Sequence, residues 1–182
     1  ELGVNSFEQP LPAEERTGLL VLTQRFGGDA QIMVDESLLT FEDAHYFVEH
    51  QIGNHFNLKI SKLGGIFPAL EIYRLAAANG VPCQLGAHFG ETSLLSIAGM
   101  VFTKLAGSVS ANEGALGEML LEKDIVQTCA QQDNKGRLDS SVFLQQIGFS
   151  QDINKDLLES YTIHQRYFRS YRFEGMMKRL SA

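Results

Sequence analysis

The sequence predicts an α/β fold and, within that class, part of a parallel (β/α) barrel. Three observations predict it. Short apolar segments of strand length alternate with longer segments of helical period from residue 2 to about 113, the pattern of successive βα units rather than of a sandwich or a bundle. Chemically capable residues recur at the C-terminal ends of the expected strands: Glu8, Asp35, Lys59, His88 with Glu91, and Asn112 with Glu113, at intervals of 27, 24, 29 and 24 residues. Each interval is one βα unit, and a barrel gathers such strand ends on one face. An open doubly wound sheet would bring them together only near its switch point. Finally, 182 residues with 44% hydrophobic side chains and 4 prolines suffice for one core and exclude a multidomain machine.

The elements follow in order. Leu2 to Phe7 is the first expected strand, closed by Pro10-Leu11-Pro12. Pro12-Ala13-Glu14-Glu15 starts a helix whose buried face carries Leu19, Leu20 and Leu22, and Gly27-Gly28-Asp29 ends it. Gln31 to Val34 is the second strand. Thr40-Phe41-Glu42-Asp43 caps a helix reaching about His50, with acidic residues in its first turn. Phe56 to Ile60 is the third strand. Gly64-Gly65 opens a helix with Ala69, Ile72, Leu75 and Ala76 on one face, and Asn79-Gly80 stops it. Val81 to Ala87 is the fourth strand, Glu91 to Leu105 a long helix, and Gly107 to Ala111 a short fifth strand. Beyond Gly114 the alternation stops. Residues 131–136 read as a turn, and Asp156 to Arg172 as a C-terminal helix with Tyr161, Tyr167 and Phe168. Residues 1–114 are thus read as barrel, and 115–182 as a tail packing back on it or on a further domain.

Composition narrows the partners. Fifteen basic against 22 acidic residues give a net charge of −7, which opposes broad contact with nucleic acid or an anionic membrane. No apolar run approaches the roughly 18 residues of a membrane span, and no signal-like segment opens the chain. A cytoplasmic protein is expected. Cys83 and Cys129 are too few for a disulfide scaffold and lack metal-site spacing, so both are read as buried thiols. Gly64-Gly65 is too short for a nucleotide-phosphate loop. The chain begins Glu1-Leu2-Gly3 without Met, which suggests a start inside something larger.

The strand-end residues suggest the chemistry. Glu8 and Asp35 are hard oxygen donors on adjacent strands, suited to Mg2+ or Mn2+ rather than zinc; singly, each would also serve as an ordinary strand-end acid. Lys59 lies in the alternating stretch Asn57-Leu58-Lys59-Ile60. Desolvation and a nearby divalent cation would depress its pKa and make it a usable general base; in an inert barrel it would simply pair with a carboxylate. Lys62 is expected to leave the strand and serve the loop. Glu91 sits where a strand gives way to a helix N-terminus, and His88 is placed to bond a substrate or move a proton. Helix-start acid and structural histidine are their plain alternatives.

Phe7-Glu8-Gln9-Pro10-Leu11-Pro12, Met33-Val34-Asp35-Glu36-Ser37 and Leu58-Lys59-Ile60-Ser61-Lys62-Leu63-Gly64-Gly65-Ile66 resemble, in order and spacing, the fourth, fifth and sixth barrel strands of the enolase superfamily. The resemblance is to the C-terminal barrel domain of its mandelate racemase and muconate lactonizing enzymes, and closest to the muconate lactonizing branch. Gly86 to Glu91 is similar to that branch's seventh-strand segment, and Ile147-Gly148-Phe149 to Tyr161-Thr162 to its C-terminal tail. The resemblance implies a partial TIM-type barrel holding about strands four to eight. It implies Glu8 and Asp35 as the second and third Mg2+ ligands, with Mn2+ an alternative cation, and Lys59 as the acid/base lysine, where the mandelate racemase branch has an aspartate. It implies removal of a proton α to a carboxylate, the enediolate being held by the metal and collapsing by racemisation, cycloisomerisation or elimination. Two departures bear on the substrate. The eighth-strand stretch reads Ser110-Ala111-Asn112-Glu113-Gly114 instead of the Asp-x-Asp of dipeptide epimerases, which argues against a dipeptide, and His88 is unusual before Phe89-Gly90-Glu91.

The family's capping domain and first three barrel strands, with the first metal ligand and the opposing base, have no counterpart in the sequence. The expectation is therefore the C-terminal portion of a Mg2+-dependent enzyme acting on a small carboxylate, inactive as an isolated fragment and needing the missing N-terminal part. The alternative is a non-catalytic partial barrel, stable through a complementary chain or self-association. Five strands leave two open edges, so a homo-oligomer is expected in either case.

Overall fold

In the computed structural model, which describes residues 3–114, 117–126, 132–138 and 153–164, four βα units follow one another: β1 (Ser6–Glu8), α1 (Arg16–Phe26), β2 (Gln31–Val34), α2 (Phe41–His50), β3 (His55–Leu58), α3 (Ile66–Ala78), β4 (Cys83–Leu85) and α4 (Ser93–Ala106). A short helix α5 (Gly117–Leu120) and a further helix, Lys155–Tyr161, come later. The sheet is parallel with order β1-β2-β3-β4. Each strand is added beside the last on the same side, with no switch point. That winding belongs to a barrel and not to a doubly wound sheet.

The strand ends differ from expectation. β1 begins only at Ser6, and all three of its residues are exposed, as befits a sheet edge. β3 spans His55–Leu58, so Lys59 and Ile60 lie just past the ladder, and β4 is confined to Cys83–Leu85. The fifth strand is displaced. Gly107 ends α4 with a positive φ of 86°, so the chain needs residues 108–109 to turn. Pairing then begins at Ser110, whose N–H donates to Cys83 O (2.8 Å). It continues through Leu85 N to Ala111 O (3.0 Å) and Glu113 N to Leu85 O (2.8 Å), as a single parallel bridge between Leu85 and Asn112.

The helices start and stop for identifiable reasons. Thr40 and Asp43 form the expected capping box of α2: Thr40 Oγ1 accepts from Asp43 N at 3.1 Å, and Asp43 Oδ2 accepts from Thr40 N at 3.0 Å. Gly65, with φ of 119°, precedes α3, a backbone only glycine adopts readily. The turn at residues 133–136 closes through Gly136 N to Asp133 O at 2.9 Å. Helix Lys155–Tyr161 occupies the start of the expected C-terminal helix; the remainder, with Tyr167 and Phe168, lies outside the described residues, as do Cys129 and residues 147–149. Among the described residues, no helix is long and apolar enough to cross a membrane.

One parity rule organises the core. Side chains alternate across a strand, and Ile32, Val34, Phe56, Leu58, Cys83 and Leu85 all face the helices, where they join Leu19, Phe47, Ile72 and Phe102 in one apolar cluster. Burial there pushes the Cys83 thiol up to about 12, the buried thiol expected. The opposite face carries Glu8, Met33, Asp35, His55, Asn57, Lys59 and Gln84. All of these but Glu8 are buried, and most are polar.

Candidate active site

The polar face converges at the strand C-termini. Glu8 ends β1, Asp35 follows β2, and Asn57 and Lys59 lie at the end of β3. The Lys59 ammonium donates to Asp35 Oδ2 and lies 3.9 Å from Glu8 Oε1. Asn57 Nδ2 donates to the same Glu8 oxygen at 3.0 Å. Sequence reasoning placed Glu8, Asp35 and Lys59 together, and the fold does bring them together.

Lys62 overturns expectation. It does not serve the loop: its side chain is 6% exposed, and its ammonium donates to Asp35 Oδ1 (2.5 Å), Asp35 O (2.7 Å) and Asn57 O (3.1 Å). The turn after β3 carries it back beneath Asp35. Gln9 was also missed. Held at a positive φ of 37°, it accepts from Asp35 N (2.9 Å) and Ser37 N (3.2 Å) through Oε1 and donates to Ser37 Oγ (2.7 Å) through Nε2. The signal for Lys62 was its three-residue offset from Lys59; for Gln9 and Asn57 it was only adjacency to named residues.

The charges set one another's protonation. Burial and the neighbouring Asp35 carboxylate raise the Glu8 pKa above the ordinary carboxylate range, against the pull of Asn57 and Lys59. For Asp35 burial acts upward too, but hydrogen bonds with Glu8, Lys59 and Lys62 outweigh it and hold the carboxyl low. Burial pulls Lys59 down, yet Asp35 and Glu8 more than offset this and its pKa is raised; the depressed lysine expected from the sequence is not what these neighbours alone produce. Burial dominates at Lys62, whose pKa is lowered.

His88 and Glu91 form a second cluster with Ser61, two residues beyond Lys59. Ser61 Oγ donates to Glu91 Oε1 at 3.1 Å and lies 2.8 Å from His88 Nδ1, while His88 N donates to Glu91 Oε1 at 2.9 Å. The serine has one proton, so if it goes to Glu91 the Ser61–His88 contact requires a proton on His88 Nδ1. Asn112 and Glu113 part company by parity. Asn112 donates to Thr103 Oγ1 of α4 (3.2 Å), whereas Glu113 accepts from Gln84 Nε2 (3.2 Å) and Ala87 N (3.4 Å) on the polar side.

A divalent cation suits this donor set. Two carboxylates are pressed together at the cost of one raised pKa, both present hard oxygens, and Mg2+ is commonly held by one or two carboxylates and several waters. Among the described residues, no group of three His, Cys, Asp or Glu side chains could hold a metal ion, so Glu8 and Asp35 form a pair of oxygen donors and not a complete cage.

A one-way-wound parallel sheet with a carboxylate and lysine cluster at its strand C-termini defines the class: part of a (β/α) barrel, the architecture whose active sites lie at that face. Residues 1–156 match the model of the enolase C-terminal domain-like family, and the chain belongs to that family. It is 26% identical over 174 residues to the N-succinyl-L-Arg/Lys racemase of Bacillus cereus, a match covering 92% of this chain and 43% of the racemase. The structure of muconate lactonizing enzyme from Pseudomonas putida superposes with a TM-score of 0.73 at 27% identity, covering 87% of this chain and 42% of that one. The dipeptide epimerase of Cytophaga hutchinsonii, complexed with Mg and the dipeptide D-Ala-L-Val, superposes with a TM-score of 0.75 at 26% identity, covering 87% and 41%. The chain thus spans less than half the length of these relatives, which are racemases, epimerases and cycloisomerases of the enolase superfamily with TIM-type barrels.

Proposed function

We propose that the protein carrying this chain removes a proton α to the carboxylate of a small substrate. Lys59 exchanges that proton, Glu8 and Asp35 are this chain's ligands for Mg2+ or Mn2+, and His88 and Glu91 act at the substrate side of the pocket. The observation that carries this reading is the placing of Lys59 between Asp35 and Glu8 on the buried polar face, at the C-terminal end of the sheet. A cation held by Glu8 and Asp35 would supply positive charge against the second negative charge that builds on the substrate carboxylate.

The residues' own work follows from their protonation. Paired with Asp35, Lys59 is held as an ammonium, the form that delivers a proton to the α carbon. Released from Asp35 and having given one proton to solvent, its neutral amine takes the proton from that carbon, and the C–H pair of electrons moves onto the carboxylate. Proton return on the opposite face gives racemisation; ring closure or loss of a β substituent gives the cycloisomerase or lyase outcome. The half-exposed His88 ring is available to the substrate's distal part, and Ser61 with Glu91 holds it in place. In this reading residues 1–114 supply the second part of the barrel and 115–182 its tail. A further ligand and an opposing base come from sequence outside this chain, and the exposed edge at β1 is covered by the rest of the barrel in a homo-oligomer.

Full-length protein with Mg2+ is expected to exchange the α hydrogen of a carboxylate substrate with solvent deuterium, read by proton NMR. N-succinylated amino acids, dipeptides and muconate are the first compounds to try. Lys59→Ala is expected to abolish or sharply reduce exchange with the fold intact by circular dichroism. Exchange unchanged in that variant removes Lys59 from the mechanism. Absence of any exchange or cation binding in the wild type favours the non-catalytic partial barrel instead.

A further inference from the structure

Lys62 spends all three ammonium protons in a buried place, and two of them go to one residue. A buried ammonium must find protein partners for all its donors; what distinguishes this one is where they go. This one bonds Oδ1 and the main-chain carbonyl of Asp35 together, at 2.5 and 2.7 Å, and anchors itself on Asn57 O at 3.1 Å. Asp35 is then gripped at its N–H by Gln9 (2.9 Å), at its C=O by Lys62 and Leu38 N (2.9 Å), and at one carboxylate oxygen by Lys62. The other oxygen, Oδ2, is turned to Lys59 on the side where Glu8 lies. Asn57 joins the two halves, since its carbonyl holds Lys62 while its amide holds Glu8. A single buried strand end thereby orients both carboxylates.

We propose that Lys62 is a positioning residue of the cation site: it fixes Asp35 so that only Oδ2 is presented towards Glu8, and so sets the affinity for the divalent cation. This rests on the reading of Glu8 and Asp35 as cation ligands. Positioning and charge act in opposite directions here, which makes the test sharp. Removing a positive charge beside two carboxylates would by Coulomb's law alone tighten cation binding; losing the orientation of a ligand weakens it, by 10–100-fold for groups of this kind.

The probe is Mn2+, titrated into full-length protein freed of metal and followed by the loss of the free-ion electron paramagnetic resonance signal. Lys62→Met keeps the stem and deletes the donors, and is expected to raise the Mn2+ dissociation constant at least tenfold while circular dichroism shows the wild-type fold. Lys62→Arg keeps the charge but not the three-point geometry, and is expected to weaken binding as well. It supplies the decisive comparison if the Met variant fails to fold. Lys59→Met is expected to bind Mn2+ at least as tightly as wild type. Folded Lys62→Met or Lys62→Arg binding Mn2+ as tightly as wild type, or more so, overturns the proposal and leaves Lys62 a counter-charge. Wild-type protein that binds no Mn2+ overturns the cation reading itself, a distinguishable failure.

Discussion

Gly86→Ala tests the inner wall of the site with one added carbon. A Cβ built on Gly86 falls 2.1 Å from Asn57 Oδ1 and 2.8 Å from both Cγ and Nδ2, inside any tolerable contact. Asn57 is fully buried, and its amide is held by Glu8 at 3.0 Å, so it cannot swing clear without breaking that bond. Gly86 does not have a positive φ, so the backbone itself accepts alanine. Overpacking of this kind costs about 1–3 kcal/mol, against a gain of about 0.4–1 kcal/mol from the stiffer unfolded chain. The expected net loss is about 1–2 kcal/mol. In an Asn57→Ala background all three clashing atoms are gone, and Gly86→Ala is expected to become neutral or stabilising. The cycle should therefore show a coupling of about 1–3 kcal/mol. Urea unfolding of the four proteins, followed by circular dichroism, measures it. Equal cost of Gly86→Ala in both backgrounds would refute the claim that Asn57 is locked between Gly86 and Glu8.

Two further outcomes follow from the titrating groups. His55 is buried with Nε2 2.7 Å from Ser110 Oγ, which donates its own proton to Cys83 O; Nδ1 has no hydrogen-bond partner, and burial lowers the pKa. The unfolded state therefore binds the proton first, and stability is expected to fall as pH drops below the unfolded value of about 6.5. A His55→Gln variant whose urea midpoint follows pH 7.5 to 5 as steeply as wild type would contradict this. Asp43 caps α2 and meets Arg16 Nη2 at 2.6 Å; burial pushes its carboxyl up, but Arg16, Leu39 and Thr40 together hold it low. Asp43→Ala is expected to cost about 1–2 kcal/mol at pH 7. The gap to wild type should shrink as pH falls from about 3.9 through the lower folded value, and a gap that persists there would show a cost unrelated to charge.

Much of this architecture was legible because period and spacing carry it. The helix of residues 41–50 could be read from Thr40 and Asp43, since a capping box is a local device. The Glu8, Asp35 and Lys59 cluster could be read because parallel winding brings strand ends together whatever the details of packing. The failures share a cause of a different order. Lys62 and Lys59 are alike in composition and three residues apart, and only the path of the turn after β3 decides that Lys62 folds inward beneath Asp35. The fifth strand slipped because Gly107 was counted as its first residue, whereas its positive φ belongs to the end of α4. Asn112 and Glu113 are neighbours, so their opposite orientations were certain; which one faced the polar side depended on register with Leu85, a non-local fact.

Strands of a parallel sheet covered on both faces usually read as continuous apolar runs. The stretch His55-Phe56-Asn57-Leu58-Lys59-Ile60 alternates instead, and the structure shows why: Phe56, Leu58 and Ile60 feed the helix-side core, and His55, Asn57 and Lys59 the opposite buried face. That second face is costly. Replacing a buried ion pair by packed apolar groups is often neutral or stabilising by about 1–4 kcal/mol, so stability alone gives no reason to keep two lysines against one aspartate with a second carboxylate 3.9 Å from Lys59. Nor is the cluster self-sufficient, since Glu8 is held protonation-prone beside Asp35 and Asn57 Oδ1 is left without a partner. A fold that meets these costs at the strand ends, and keeps the helix side of the same strands apolar, concentrates its unfavourable electrostatics at the face where the proposed function places the cation.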